Sequence, residues 1–191
     1  MMSFSTQLIA LFLSQMHLDP SEVMLWLRIT ARISGVLLAA SFASLGLRQI
    51  WPSALTLYIG ASRHRFTLLF ALSHTLHLAA IVMLAILLPN QVFAKKNIPG
   101  LVLGAMGYVL IYYLAWRAFA ARKKSDLPDK KMQTFGLYLL WLVFTLAFTS
   151  GVWKAGWVYA PFALVMWLAL AVRIGARLAT GGRERTSVAG V

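Results

Sequence analysis

The sequence predicts an all-α fold: a polytopic transmembrane helical bundle of five spans, preceded by a short interfacial or re-entrant N-terminal helix. Three observations carry this prediction. First, 60% of the 191 residues are hydrophobic and only 12% charged, with a mean hydropathy of +0.75, a balance typical of polytopic membrane proteins. Second, the apolar residues fall into five runs, each about 20 residues or more, long enough to cross a hydrocarbon core of ~30 Å at 1.5 Å per residue. Third, most of the charges lie between those runs. The net charge of +13 and the pI near 10.8 would suit a nucleic-acid binder, but basic residues spaced by apolar runs are what cytoplasmic retention of Lys and Arg produces. The partner implied is a lipid bilayer, with no nucleic acid. The absence of cysteine excludes disulfides, thiolate haem ligation and cysteine-held iron–sulfur clusters.

Residues 1–18 hold a short apolar core with no basic residue before it and no small-residue cleavage site, so they read as an interfacial or re-entrant helix rather than a secretory signal. His17 at its end reads as an exposed residue. Residues 19–180 form the five-span domain. Asp19 as N-cap, Pro20 at the first helical position and Glu22 in capping-box position open the first span, about 21–47. Arg28 and Arg32 lie four apart on its face. Two readings are open for them: snorkelling to phosphate headgroups, or pairing with the propionates of a buried haem.

Residues 48–65 read as a loop anchored by Trp51-Pro52. The second span, about 65–88, ends at Pro89-Asn90 by turn chemistry. It follows the basic start Arg63-His64-Arg65 and runs 23 residues without a formal charge. Three of the chain's four histidines, His64, His74 and His77, fall here. An imidazole in hydrocarbon needs a hydrogen-bond partner or a metal, so these are the leading site candidates. His74 and His77, three apart, project from neighbouring positions on one helix face and make a plausible two-histidine metal edge.

The third span, about 99–119, carries Gly100, Gly104 and Gly107 in a small-residue spacing expected to admit a close neighbouring helix, with Tyr108, Tyr112 and Tyr113 beyond. The fourth and fifth spans, about 133–152 and 157–178, flank a short turn containing Lys154. Residues 181–191 are polar and glycine-rich and read as a disordered cytoplasmic tail. The loop between spans one and two, the loop between three and four and the C-terminal end, counted with Arg117, Arg173 and Arg177 in the adjoining ends of spans three and five, carry thirteen basic residues, against three in the other connections. The expected orientation is therefore N-terminus outside and C-terminus cytoplasmic.

A haem b in a helical bundle takes an axial imidazole from each of two facing helices. Spans one, three, four and five contain no histidine, leaving Met106 or Met166 as alternative ligands. The segments DPSE followed by LWLRITARISGVLLAASFASLGLRQIWP, then RHRFTLLFALSHTLHLAAI, then MQTFGLYLLWLVF, resemble the ferric-reductase-like transmembrane domain superfamily. Within it, the chain is similar over about residues 19–180 to the bacterial haem-binding subunits of the MsrQ (YedZ) type and their shorter relatives. The resemblance implies that His77 sits at a haem-ligand position, fourteen residues after the first of a basic pair, with His74 as an additional histidine. It also marks a departure, because the related sequences carry Leu-His where this chain has Met132-Gln133, and histidine where it has Leu146. The resemblance implies a haem b-type electron-transfer subunit of the bacterial inner membrane, and the candidate cofactor-binding residues are His77, His74, His64, Arg28, Arg32 and Gln133. The electron donor would be a quinone or a flavoprotein and the acceptor a periplasmic oxidoreductase. The alternative is a haem-free structural or assembly subunit whose ligand site has degenerated.

Overall fold

In a computed structural model, residues 19–94, 98–120 and 130–188 are described, and all their regular elements are helical. In chain order these are α1 (Pro20–Ile50), α2 (Ala54–Ala61), α3 (Arg63–Leu87), α4 (Pro89–Val92), α5 (Ile98–Ala120), α6 (Lys130–Ala155), a 3₁₀ turn (Trp157–Tyr159) and α7 (Ala160–Val188). Five of the helices, α1, α3, α5, α6 and α7, are long and apolar enough to cross a membrane. The segment 1–18, with His17, lies outside the described residues.

Local chemistry explains the boundaries. The Asp19 carboxylate accepts the Ser21 amide at 2.9 Å, and Pro20 fills the first helical position, where its missing N–H costs nothing. At 48–65, expected as a loop, the chain forms α2 instead. Ser53 and Thr56 make a reciprocal capping box there, enough to start a helix of two turns. Gly156 takes a φ of 93° to turn from α6 into the next helix, a conformation that favours glycine. The C-terminal end differs from expectation too: α7 is helical to Val188, past the point where a disordered tail was predicted. The two glycines at 181–182 each cost about 1 kcal/mol, but extending a formed helix through Arg183, Glu184 and Arg185 needs no new nucleus.

The bundle has an apolar core, including Leu38, Phe42, Phe70, Leu137 and Phe144, but unlike that of a water-soluble bundle its outer surface is apolar too. Val36, Leu72, Leu76, Val102, Val109, Leu142 and Leu168 point outward, whereas Thr30, Ser34, Ser41, Ser44, Thr67 and Ser73 are buried. Lipid tails are as apolar as leucine, so helices associate through close van der Waals approach and interhelical hydrogen bonds. The central helix is α1, which packs chiefly on α3 and α7 and also touches α6. It runs antiparallel to α3: Ser34 Oγ lies 3.0 Å from Ser73 Oγ, and Ser41 Oγ 2.8 Å from Thr67 Oγ1. Against α7 it runs parallel, and at Gly46 a Cβ would stand 3.0 Å from the Val172 carbonyl oxygen, so glycine sets that approach. Gly100, Gly104 and Gly107 do not mark a contact as expected. No neighbouring atom lies within 4 Å of where their Cβ atoms would be. The close approaches are made at Gly35, Gly46 and Gly136, where the facing residues are Phe148, Val172 and Leu110.

Candidate functional site: a histidine pair inside the bundle

His74 and His77 come from consecutive turns of α3 and meet three other helices. His77 turns toward α1. Its Nδ1 is 3.1 Å from the Leu27 carbonyl oxygen and 3.0 Å from Thr30 Oγ1. A carbonyl only accepts, so Nδ1 carries the proton and donates it. The single hydroxyl proton of Thr30 goes to the Trp26 carbonyl at 2.8 Å, which leaves a lone pair facing His77. Every partner in this small network has a consistent role, and Nε2 of His77 is left with its lone pair.

His74 is held differently. Its ring stacks on Phe70 at 5.7 Å, on His77 at 4.9 Å and on Tyr108 of α5 at 4.9 Å, and Phe144 of α6 lies at 5.3 Å. Its Nδ1 is buried and makes no hydrogen bond. The Tyr108 hydroxyl donates to the His74 backbone carbonyl at 3.3 Å, tying α5 to α3 at the same level.

This arrangement rules out a metal edge shared by the pair. The two rings are stacked, 17° from parallel. Imidazole lone pairs lie in the ring plane, so two stacked rings cannot aim at one ion ~2 Å from both nitrogens. Among the described residues, no group of three or more His, Cys, Asp or Glu side chains gathers at one place.

The other predicted residues do not converge on the pair. His64 and Gln133 are half-buried, with no hydrogen bond or ring contact to it. Arg28 is exposed. Arg32 turns to the other side of α1, with its guanidinium 5.2 Å above the Tyr159 ring and 5.5 Å above that of Phe162. Met106 is 65% exposed, and Met166 is buried where its backbone carbonyl accepts from Trp141 Nε1. Leu146, the position that the superfamily resemblance pairs with His77, is 60% exposed and points out of the bundle. The α6 residue that reaches the histidines is Phe144, two positions earlier and some 200° round the helix.

Neither a family model, nor a curated protein, nor a solved structure matches this chain. The site is therefore read from its own geometry. A bis-histidine haem inside the bundle does not fit the described residues: among them no imidazole from another helix faces the pair, and the rings of Phe70, Tyr108 and Phe144 lie beside His74. Sequence reasoning missed Thr30, the acceptor for His77, and Phe144. Thr30 lies within a span, between Arg28 and Arg32, and a hydroxyl there is a signal that a neighbouring helix offers a polar partner.

Proposed function

We propose that this protein is a multi-pass membrane subunit that acts without haem, as a structural or assembly component of a membrane complex, with the His74–His77 pair built into its core. The observation behind the reading is the setting of His74, whose ring lies among those of Phe70, Tyr108 and Phe144, with Phe144 the α6 residue that reaches it. We place it in a bacterial inner membrane, with the N-terminus periplasmic and the C-terminus cytoplasmic. Support comes from Arg48, Arg63, Arg65, Arg117, Arg173 and Arg177, which cluster at the end where α1, α5 and α7 finish and α3 and α6 begin.

A second reading is the haem b electron-transfer subunit implied by the superfamily resemblance, fed by a quinone or a flavoprotein and delivering to a periplasmic oxidoreductase. One observation favours it. His77 donates Nδ1–H to a backbone carbonyl and keeps Nε2 unprotonated, the orientation that metal-ligating histidines commonly have.

Absorbance of the detergent-purified full chain from haem-replete cells separates the two. The first reading expects no Soret band in the wild type and none after added haem. A Soret band that shifts on reduction and disappears in His77→Ala would overturn it in favour of the second.

A further inference from the structure

Arg32 faces away from the histidine pair, toward the start of α7, and neither reading of the function gives it a role. Its guanidinium stands 5.2 Å over the Tyr159 ring and 5.5 Å over that of Phe162. Those rings attract a cation through their faces, but they supply no negative charge. The Nε of Arg32 is buried and has no hydrogen-bond partner among the described residues. A buried donor on a charged group is costly to leave unmet.

The chain offers it no carboxylate. Asp19 and Glu22 lie about 20 and 15 Å before it along α1 at 1.5 Å per residue, beyond the reach of the side chains, and Asp19 already caps the helix. The other acidic residues, Asp126, Asp129 and Glu184, fall in the sequence between α5 and α6 and near the end of α7, whereas Arg32 meets the first residues of α7. Tyr159 follows the turn at Gly156, next to the exposed Trp153 and Trp157, so Arg32 sits at the level of an interfacial aromatic belt.

From Arg32 an apolar groove of about 360 Å³ runs between α1 and α7, lined by Ile29, Ile33, Val36, Leu37 and Phe162. Ile33 and Val36 are 49% and 46% exposed, so the groove opens on the outside of the bundle, where the bilayer lies. Val36 and Leu37 are one turn deeper along α1 than Arg32, toward the membrane interior. A cation lacking a counter-ion thus stands at the interfacial head of an apolar channel.

We infer that this groove holds an anionic phospholipid, with its phosphate on Arg32 and an acyl chain along Ile33, Val36 and Leu37. The guanidinium fork matches the oxygens of a phosphate, and the charge selects an anionic headgroup over a zwitterionic one, which brings its own ammonium group to the arginine. A soluble anion would leave the apolar length of the groove unused. The lipid bridges α1 and α7, and it does so under either reading of the function.

The test places the full chain in nanodiscs of phosphatidylethanolamine with or without phosphatidylglycerol and counts the retained lipid by native mass spectrometry. The wild type is expected to retain phosphatidylglycerol in preference to phosphatidylethanolamine. Arg32→Gln should lower that preference about fivefold. Val36→Trp fills the groove without altering charge, and it should lower phosphatidylglycerol retention as well. Arg28, one turn away, is exposed and does not line the groove, so Arg28→Gln removes an equal charge and should change retention far less. Circular dichroism checks the helicity of each variant; if Arg32→Gln does not fold, Val36→Trp decides. No preference in the wild type overturns the site, as does a Val36→Trp variant that retains phosphatidylglycerol like the wild type. An Arg28→Gln loss equal to that of Arg32→Gln also overturns it, because the attraction would then be one of general charge.

Discussion

His74 and His77, three residues apart on one helix, make opposite predictions. His77 donates to Leu27 and Thr30, so His77→Phe removes the donor that joins α3 to α1 there and should cost about 1 kcal/mol. His74 makes no side-chain hydrogen bond and lies among aromatic rings, so His74→Phe should leave stability within about 0.5 kcal/mol of wild type. Unfolding in detergent by titration with sodium dodecyl sulfate, followed by circular dichroism, compares them. A His74→Phe loss as large as that of His77→Phe would contradict the assignment. Asp19 gives a pH prediction at the same scale. The Ser21 amide holds its carboxyl below the ordinary value of 3.8. A depressed folded-state value means the cap contributes above pH 3.8 and is lost as the pH falls through the lower, folded-state value. Amide exchange in the first turn of α1 should therefore quicken on acidification through that window. Asp19→Asn, which keeps the cap without the titration, should remove the pH dependence.

At the scale of the element, two kinds of contact join α1 to its neighbours, and they should differ in what they tolerate. The hydroxyl pairs with α3 are modest glue. Ser41→Ala with Thr67→Val removes both partners of one pair and should cost no more than roughly 1 kcal/mol, the usual range for interhelical hydrogen bonds in membranes. The approach to α7 at Gly46 is stricter, because the Val172 carbonyl that a side chain would meet belongs to the backbone and cannot rotate away. Gly46→Leu should cost about 1–3 kcal/mol by overpacking. Gly104→Leu, facing open space on α5, should be nearly neutral. The ranking is read in the same detergent unfolding assay. A Gly104→Leu variant as damaged as Gly46→Leu would mean that α5 packs against something on that face.

For the whole molecule the governing quantity is the asymmetry of basic charge. A reporter fused to the C-terminus is expected to be active in the cytoplasm, and a cysteine placed beside Lys95 to be labelled from the periplasm. A C-terminal reporter active only in the periplasm would invert the orientation. Trp153 and Trp157, 85% and 83% exposed at the end opposite the arginines, fit an interfacial aromatic belt on that side.

The five helices, their approximate limits and the Asp19 cap were legible in the sequence, because span length, hydropathy and capping chemistry are local properties of consecutive residues. That His74 and His77 lie inside the apolar part of a span was legible for the same reason, and an imidazole there is costly wherever the helix packs. What each histidine does was decided by the tertiary structure. Helical period places Thr30 and Leu27 on α1, but only the antiparallel packing of α1 on α3 brings them to His77. The superfamily resemblance paired Leu146 with His77, yet position along a helix does not set rotation about its axis, and that rotation gives the place beside His74 to Phe144 and turns Leu146 outward. The glycines obey the same distinction. Their spacing in α5 looks like a contact, whereas the contacts lie at Gly35, Gly46 and Gly136, because which face of a helix meets another depends on all five helices packing at once.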